Sequence, residues 1–225
     1  MSKRFWTSDL HLGHANIAKY CKRPWLRADD LGPDGNWACK EFKDACATRM
    51  NAGLLHNMNS RIKPDDTVVH VGDFCCHGGE RGVSGVKIKA REWEDQLNGK
   101  WIFITGNHDD NNTVKHGLET AIVTICSLKA FVQHRPIERA CEVPDLCSFV
   151  ICGHVHEHWQ TKFIDGILCI NVGVDVNRFY PLDDSEVGGL YWRTTRALKG
   201  TEACPAKESP SSAPADTGSC AAAAV

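Results

Sequence analysis

The sequence predicts an α/β domain, on three observations. Short apolar runs rich in β-branched residues carry the buried-strand signal. Between them lie segments whose apolar residues recur at helical spacing. Each principal apolar run also stops at a loop bearing Asp, Asn or His, and in open α/β sheets ligands bind in the crevice beyond the strand C-termini.

In chain order, Arg4 to Ser8 is a short strand that runs into Asp9-Leu-His11-Leu-Gly-His14. Ala15 to Cys21 reads as a short helix, which Arg23-Pro24-Trp25 breaks. Leu31-Gly-Pro-Asp-Gly35 is a turn-rich loop. From Asn36, an N-cap residue type, to Ile62, the spacing of Trp37, Phe42, Ala45, Met50, Leu54, Leu55, Met58 and Ile62 predicts one amphipathic helix or a pair. Thr67 to Val71, bounded by Pro64-Asp65-Asp66 and Gly72, is a strand that delivers Asp73. Cys75 to Gly85 is a glycine-rich loop, and Val86 to Leu97 a helix closed by Asn98-Gly99. The strand Trp101 to Thr105 ends in Gly106-Asn-His-Asp109. Ala121 to Cys126 and Lys129 to Gln133 are successive strands, the second ending at His134. Ser148 to Cys152 ends in Gly153-His-Val-His156, and Ile167 to Val172 and Gly189 to Trp192 read as the last strands. Residues 1–199 make one domain; 200–225, rich in Ala, Ser and Pro, lack the apolar side chains to offset chain entropy and read as a disordered tail.

The net charge of −2 gives no global argument for nucleic-acid or membrane binding. Twelve cysteines would suggest a disulfide framework in a small secreted chain. Here their spacing is irregular, no paired C-x-x-C motifs occur, several (Cys126, Cys152, Cys169) sit in apolar runs, and the N-terminus shows no signal peptide. A reducing cytoplasm is the expected compartment. No apolar run approaches the ~20 residues of a membrane span.

The strand ends supply Asp9 and His11, Asp73, Asn107 with His108, His134, and His154 with His156. Carboxylate, imidazole and amide oxygen together suit Mn, Fe, Zn or Ni. In an extended segment residues two apart project to one side, so Asp9/His11 and His154/His156 can each offer two ligands to one cavity. Gly72, Gly106 and Gly153 remove a Cβ where backbone must turn or approach the ions. Any one of these motifs alone is commonplace. Their joint occurrence, each after a strand, points to Asp73 as the shared ligand of two metal ions.

Taken together, Asp9-x-His11, Gly72-Asp73, Gly106-Asn-His-Asp109, His134 and Gly153-His-x-His156 resemble the calcineurin-like metallophosphoesterase superfamily, over residues 4 to 193. The stretch Thr7 to His14 with Asn16, and Tyr20 to Pro24, is similar to its small single-domain bacterial and phage members. The resemblance implies a four-layer α/β/β/α sandwich. It assigns Asp9, His11, Asp73 and His156 to one divalent ion and Asp73, Asn107, His134 and His154 to the other, with His108 as catalytic histidine. Mn²⁺ is the favoured ion, with Fe, Zn or Ni as alternatives. The implied chemistry is hydrolysis of a phosphomonoester or phosphodiester by a metal-bridging hydroxide. The sequence departs from the family pattern at His134, where Arg135 stands in place of an aromatic residue before Pro136; His116, in a polar stretch with no preceding strand, is the competitor.

His14, Asn16 and Arg23 are candidates for substrate contact. His70 faces away from Asp73 by alternation and reads as a satisfied core histidine; His77 is a candidate for the rim. Arg81, Lys87, Lys89 and Arg91 form a basic segment that could attract a polyanion. The expected partner is a phosphoester, nucleotide or nucleic acid, with no membrane and no protein partner indicated. Two alternatives remain: a non-catalytic metal-binding scaffold of the same fold, and a nuclease acting on single strands. A metallo-β-lactamase-type hydrolase would need H-x-H-x-D-H, whereas His154-x-His156 is followed by Glu157-His158.

Overall fold

The computed structural model describes residues 2–75, 88–109 and 117–202, with side chains described as far as Leu198. The principal apolar runs form two sheets. The first contains β1 (Arg4–Thr7), β2 (Thr67–Val71), β3 (Lys100–Ile104) and β9 (Leu182–Asp183) in the order β3-β2-β1-β9. The second contains β4 (Thr120–Ile125), β5 (Leu128–Gln133), β6 (Phe149–Cys152), β7 (Thr161–Ile164) and β8 (Ile167–Asn171) in the order β4-β5-β6-β8-β7. Each sheet has a parallel centre: β1-β2-β3 in the first and β5-β6-β8 in the second, with antiparallel strands outside.

Alternation explains why the runs are apolar throughout. On β1, Phe5 points to the helical side and Trp6 between the sheets; on β2, Val68 and Val69 divide the same way. On β6, Phe149 and Ile151 enter the inter-sheet core while Val150 and Cys152 face outward into a third cluster. A strand covered on both faces has no polar side to show.

The helices α1 (Ala15–Tyr20), α2 (Lys40–Arg61) and α3 (Ala90–Glu94) cover the outer face of the first sheet. Cys46, Met50, Leu54 and Met58, spaced one per turn, form the buried stripe of α2. The outer face of the second sheet packs against Ile137, Val143 and Cys147 in the connection before β6, which includes a 3-10 turn at Ala140–Glu142. The last helix, α4 (Asp184–Glu202), places Val187 and Leu190 in the inter-sheet core. The expected two-sheet sandwich is therefore present, with helices outside the first sheet and the connection before β6 outside the second. Among the described residues no helix is long and apolar enough to cross a membrane.

Several expectations need correction. Gly189 to Trp192 is not a strand but the middle of α4. The strands β7 and β9 were not legible as such. Helix α2 begins at Lys40, and Asn36 belongs to a turn in which its backbone N–H donates to Asp34 Oδ1 at 3.0 Å. Within the described part of the expected Val86–Leu97 helix, only Ala90–Glu94 is helical. Helix α4 runs to Glu202, into the start of the segment read as a tail; 203–225 lies outside the described residues, as do His77, Arg81, Lys87 and His116.

Candidate metal centre

The parallel pairing of β1 with β2 continues past both strand ends: Asp9 N–H donates to Gly72 O, His11 N–H to Asp73 O and Leu12 N–H to Phe74 O, each at 3.0 Å. A bridge between Ser8 and Gly173 ties the end of β1 to the end of β8. Gly153 N–H donates to His134 O at 2.9 Å, which aligns the loops after β5 and β6. The C-terminal ends of both parallel arrays therefore converge on one point.

The seven ligand residues expected from the sequence all lie there. Donor atoms of Asp9, His11 and His156 fall within 4.8 Å of one another, and so do those of Asp73, His134 and His154. Asp73 joins the two sets: its Oδ2 is 3.5 Å from His11 Nε2 and 3.4 Å from His134 Nε2. Asn107 Oδ1 is 3.1 Å from His134 Nε2. Asp9, His11, Asp73 and His134 form a buried floor, while Asn107, His154 and His156 are half-buried and His108 is exposed, so the site opens on their side.

Asp9, His11, Asp73, His154 and His156 all have φ between 45° and 69°, the left-handed region that side-chain-bearing residues rarely adopt. Each such residue costs on the order of 1–3 kcal/mol and persists only where its surroundings fix it. Close approach adds a second constraint. Gly72, at φ +88°, could not carry a Cβ without placing it 2.2 Å from His134 Nδ1, and at Gly153 a Cβ would stand 2.5 Å from Asp9 Oδ2.

The donor set fits divalent cations. His134 Nδ1 lies 2.8 Å from Val71 O, which only accepts, so that nitrogen carries the proton. Burial pushes the imidazole down, but hydrogen bonding of Nε2 to Asp73 and the Asp9 and Asp73 charges raise it overall, so that a proton on Nε2, facing Asn107 Oδ1 and Asp73 Oδ2, takes the place a cation between them would fill. His11 Nε2 is buried without any hydrogen-bond partner, 3.5 Å from a carboxylate oxygen. Burial pushes the Asp9 carboxyl up and the His11 imidazole well down. Burial acts on Asp73 in the same upward sense, but the His134 and His11 rings and the His108 N–H hold it well below the usual carboxylate range.

Beneath these donor residues lies support that the sequence reading only partly identified. Asp109 accepts the N–H groups of Asp73, Phe74 and Gly106 at 2.7, 3.0 and 2.8 Å, locking the two loops together. Ser8 Oγ donates to Asp9 Oδ2 at 2.5 Å, and His154 N–H reaches both Asp9 oxygens. Asp175, absent from the expected site residues, lies 3.0 Å from His156 Nδ1 and orients the ring. Its signal was available: Gly173-Val-Asp175 follows β8 as Gly72-Asp73 follows β2.

Arg23 corrects an expectation. It is not placed to touch substrate: its side chain is fully buried, Nε and Nη2 donate to Asp175 at 2.8 and 2.9 Å, and Nη1 and Nη2 donate to the carbonyls of Leu10 and Asp9. Asn16, on α1, accepts Trp37 Nε1 at 2.7 Å. The His14 ring lies 5.7 Å from that of His11, beside the site. His70 is a core residue, as alternation requires, but neither of its ring nitrogens has a hydrogen-bond partner.

Residues 50–179 match the calcineurin-like phosphoesterase superfamily domain. An uncharacterized protein of Methanocaldococcus jannaschii is 30% identical over 186 residues, covering 81% of this chain and 87% of its own. The crystal structure of a protein of unknown function from Aquifex aeolicus aligns with a TM-score of 0.56 at 23% identity, covering 84% of this chain and 100% of that one.

Proposed function

The chain belongs to the calcineurin-like phosphoesterase superfamily, and from that membership and the two ligand sets meeting at Asp73 we propose that it hydrolyses phosphoester bonds with a pair of divalent metal ions. The observation that carries this reading is the position of Asp73 Oδ2, within 3.5 Å of a histidine nitrogen from each set. Asp9, His11, Asp73 and His156 would hold one ion, and Asp73, Asn107, His134 and His154 the other. Bound there, the ions supply Lewis acidity to the phosphoryl group and to the attacking water. Mn²⁺ suits these nitrogen and oxygen donors, as do Fe, Zn and Ni.

The protein's own groups divide the remaining work. Asp73 fixes the spacing of the sets, since its Oδ1 is already committed to the His108 N–H at 2.8 Å. That hydrogen bond also places His108, whose exposed ring lies edge-on to His11 at 5.4 Å between centroids. From there a ring nitrogen of His108 can give a proton to the leaving oxygen. Asp175 and Arg23 keep His156 oriented.

The scaffold alternative is disfavoured by a complete ligand set with His108 beside it. Turnover of bis(p-nitrophenyl) phosphate and p-nitrophenyl phosphate with added Mn²⁺ tests the reading and ranks diester against monoester. Failure to hydrolyse either with two ions bound would favour the scaffold.

A further inference from the structure

On the flank of the first ligand set, Cys21, His156 and Asp175 form another donor group. One atom from each lies within 4.8 Å of the other two. Cys21 caps the C-terminus of α1, Asp175 lies in the 3-10 turn Val174–Val176 after β8, and His156 stands between them. We infer that these three residues form a side site for a thiophilic divalent ion such as Zn²⁺, and that filling it withdraws His156 from the first ligand set.

Ligand chemistry separates this site from its neighbours. The sets around Asp73 consist of nitrogen and oxygen donors, which accept Mn²⁺. A thiolate with an imidazole and a carboxylate makes a three-donor zinc site that leaves one position for water. Burial first, then the Asp175 and Glu157 carboxylates, push the Cys21 thiol up against the opposing Arg23 cation, so the sulfur keeps its proton until an ion displaces it.

The coupling follows from the imidazole. His156 turns Nδ1 to Asp175 at 3.0 Å and Nε2 toward Asp9 Oδ1 at 3.9 Å. A neutral ring carries one proton. With that proton on Nδ1, Nε2 is open to the first set. An ion on Nδ1 displaces the proton, which returns through solvent to Nε2, while the Cys21 thiol proton is released to solvent. Nε2 is then closed to the first set, so a neutral His156 serves one site or the other. The side site stands on the geometry alone; its inhibitory effect rests on the dinuclear reading.

Co²⁺ added to the full-length protein preloaded with Mn²⁺ tests the site, because thiolate–Co²⁺ ligation gives a near-ultraviolet charge-transfer band. The band is expected in the wild type and in Asp73→Ala, and should be lost in both Cys21→Ser and Cys21→Ala. Its presence in Asp73→Ala keeps the result independent of whether the paired centre exists. A wild type without the band, or either Cys21 variant that retains it, overturns the site. For the inhibitory effect, Zn²⁺ in excess of the paired ions should suppress wild-type turnover, and Cys21→Ser should raise the required Zn²⁺ at least about tenfold. An unchanged Zn²⁺ response in Cys21→Ser overturns the coupling.

Discussion

Two side chains of the candidate centre, the buried Arg23 and the exposed His108, test residue-level roles. Arg23 has every guanidinium nitrogen committed inside the protein. Its replacement by Ala leaves Asp175 buried without its charge partner, which typically costs about 3–5 kcal/mol. Denaturant unfolding of Arg23→Ala should therefore show a large loss of stability. A raised KM with unchanged stability would instead restore the substrate-contact role. His108 is the converse case. His108→Ala should retain both ions, counted by elemental analysis, yet lose turnover by about 10²–10⁴-fold; unimpaired turnover would remove it from the mechanism. Residue types at strand ends were enough to select seven residues that the fold brings to one place. They could not show that Arg23 is consumed by Asp175, because that pair spans 152 positions and exists only once α1 and the turn after β8 are packed together.

At the scale of elements, the loops after β1, β2 and β6 hold five of the proposed ligand residues, Asp9, His11, Asp73, His154 and His156, in left-handed backbone, and Gly72 is the tightest point among these loops. Gly72→Ala should displace His134 and weaken the set containing it, seen as loss of one equivalent of Mn²⁺ in a binding titration. Retention of both equivalents would show that the loop yields without cost. The strands that carry these loops were legible because their apolar runs are buried on both faces. The misread elements had signals of another kind. Helix α4 opens with a reciprocal cap in which Glu186 N–H donates to Asp183 Oδ1 and Asp183 N–H to Glu186 Oε2. The Gly188-Gly189 pair and the aromatic Tyr191-Trp192 hid that helical start behind a strand-like composition. Strand β7 is joined to β8 by Asp165-Gly166, both at positive φ, the pattern of a tight hairpin turn.

The whole molecule is a sandwich whose inter-sheet core aligns the ends of two parallel arrays, and its stability contains one separable charge contribution. His70 is fully buried beside Phe74, Trp101 and Phe103, and burial pushes its imidazole down to about 3. The unfolded chain takes up that proton near pH 6.5, the folded chain only near 3. Its contribution is therefore intact above pH 6.5 and declines as pH falls toward 3. In metal-free protein His70→Leu should remove about 3 kcal/mol of the stability loss between pH 6.5 and 4, by denaturant unfolding against the wild type. Identical pH slopes would contradict the burial of an uncharged ring.

The shared role of Asp73 is tested most directly by anomalous scattering from crystals of the protein loaded with Mn²⁺. The expected map contains two peaks about 3.5–4 Å apart, both within bonding distance of Asp73 and each joined to its own histidine set. A single peak, or a pair of which only one touches Asp73, would contradict the account.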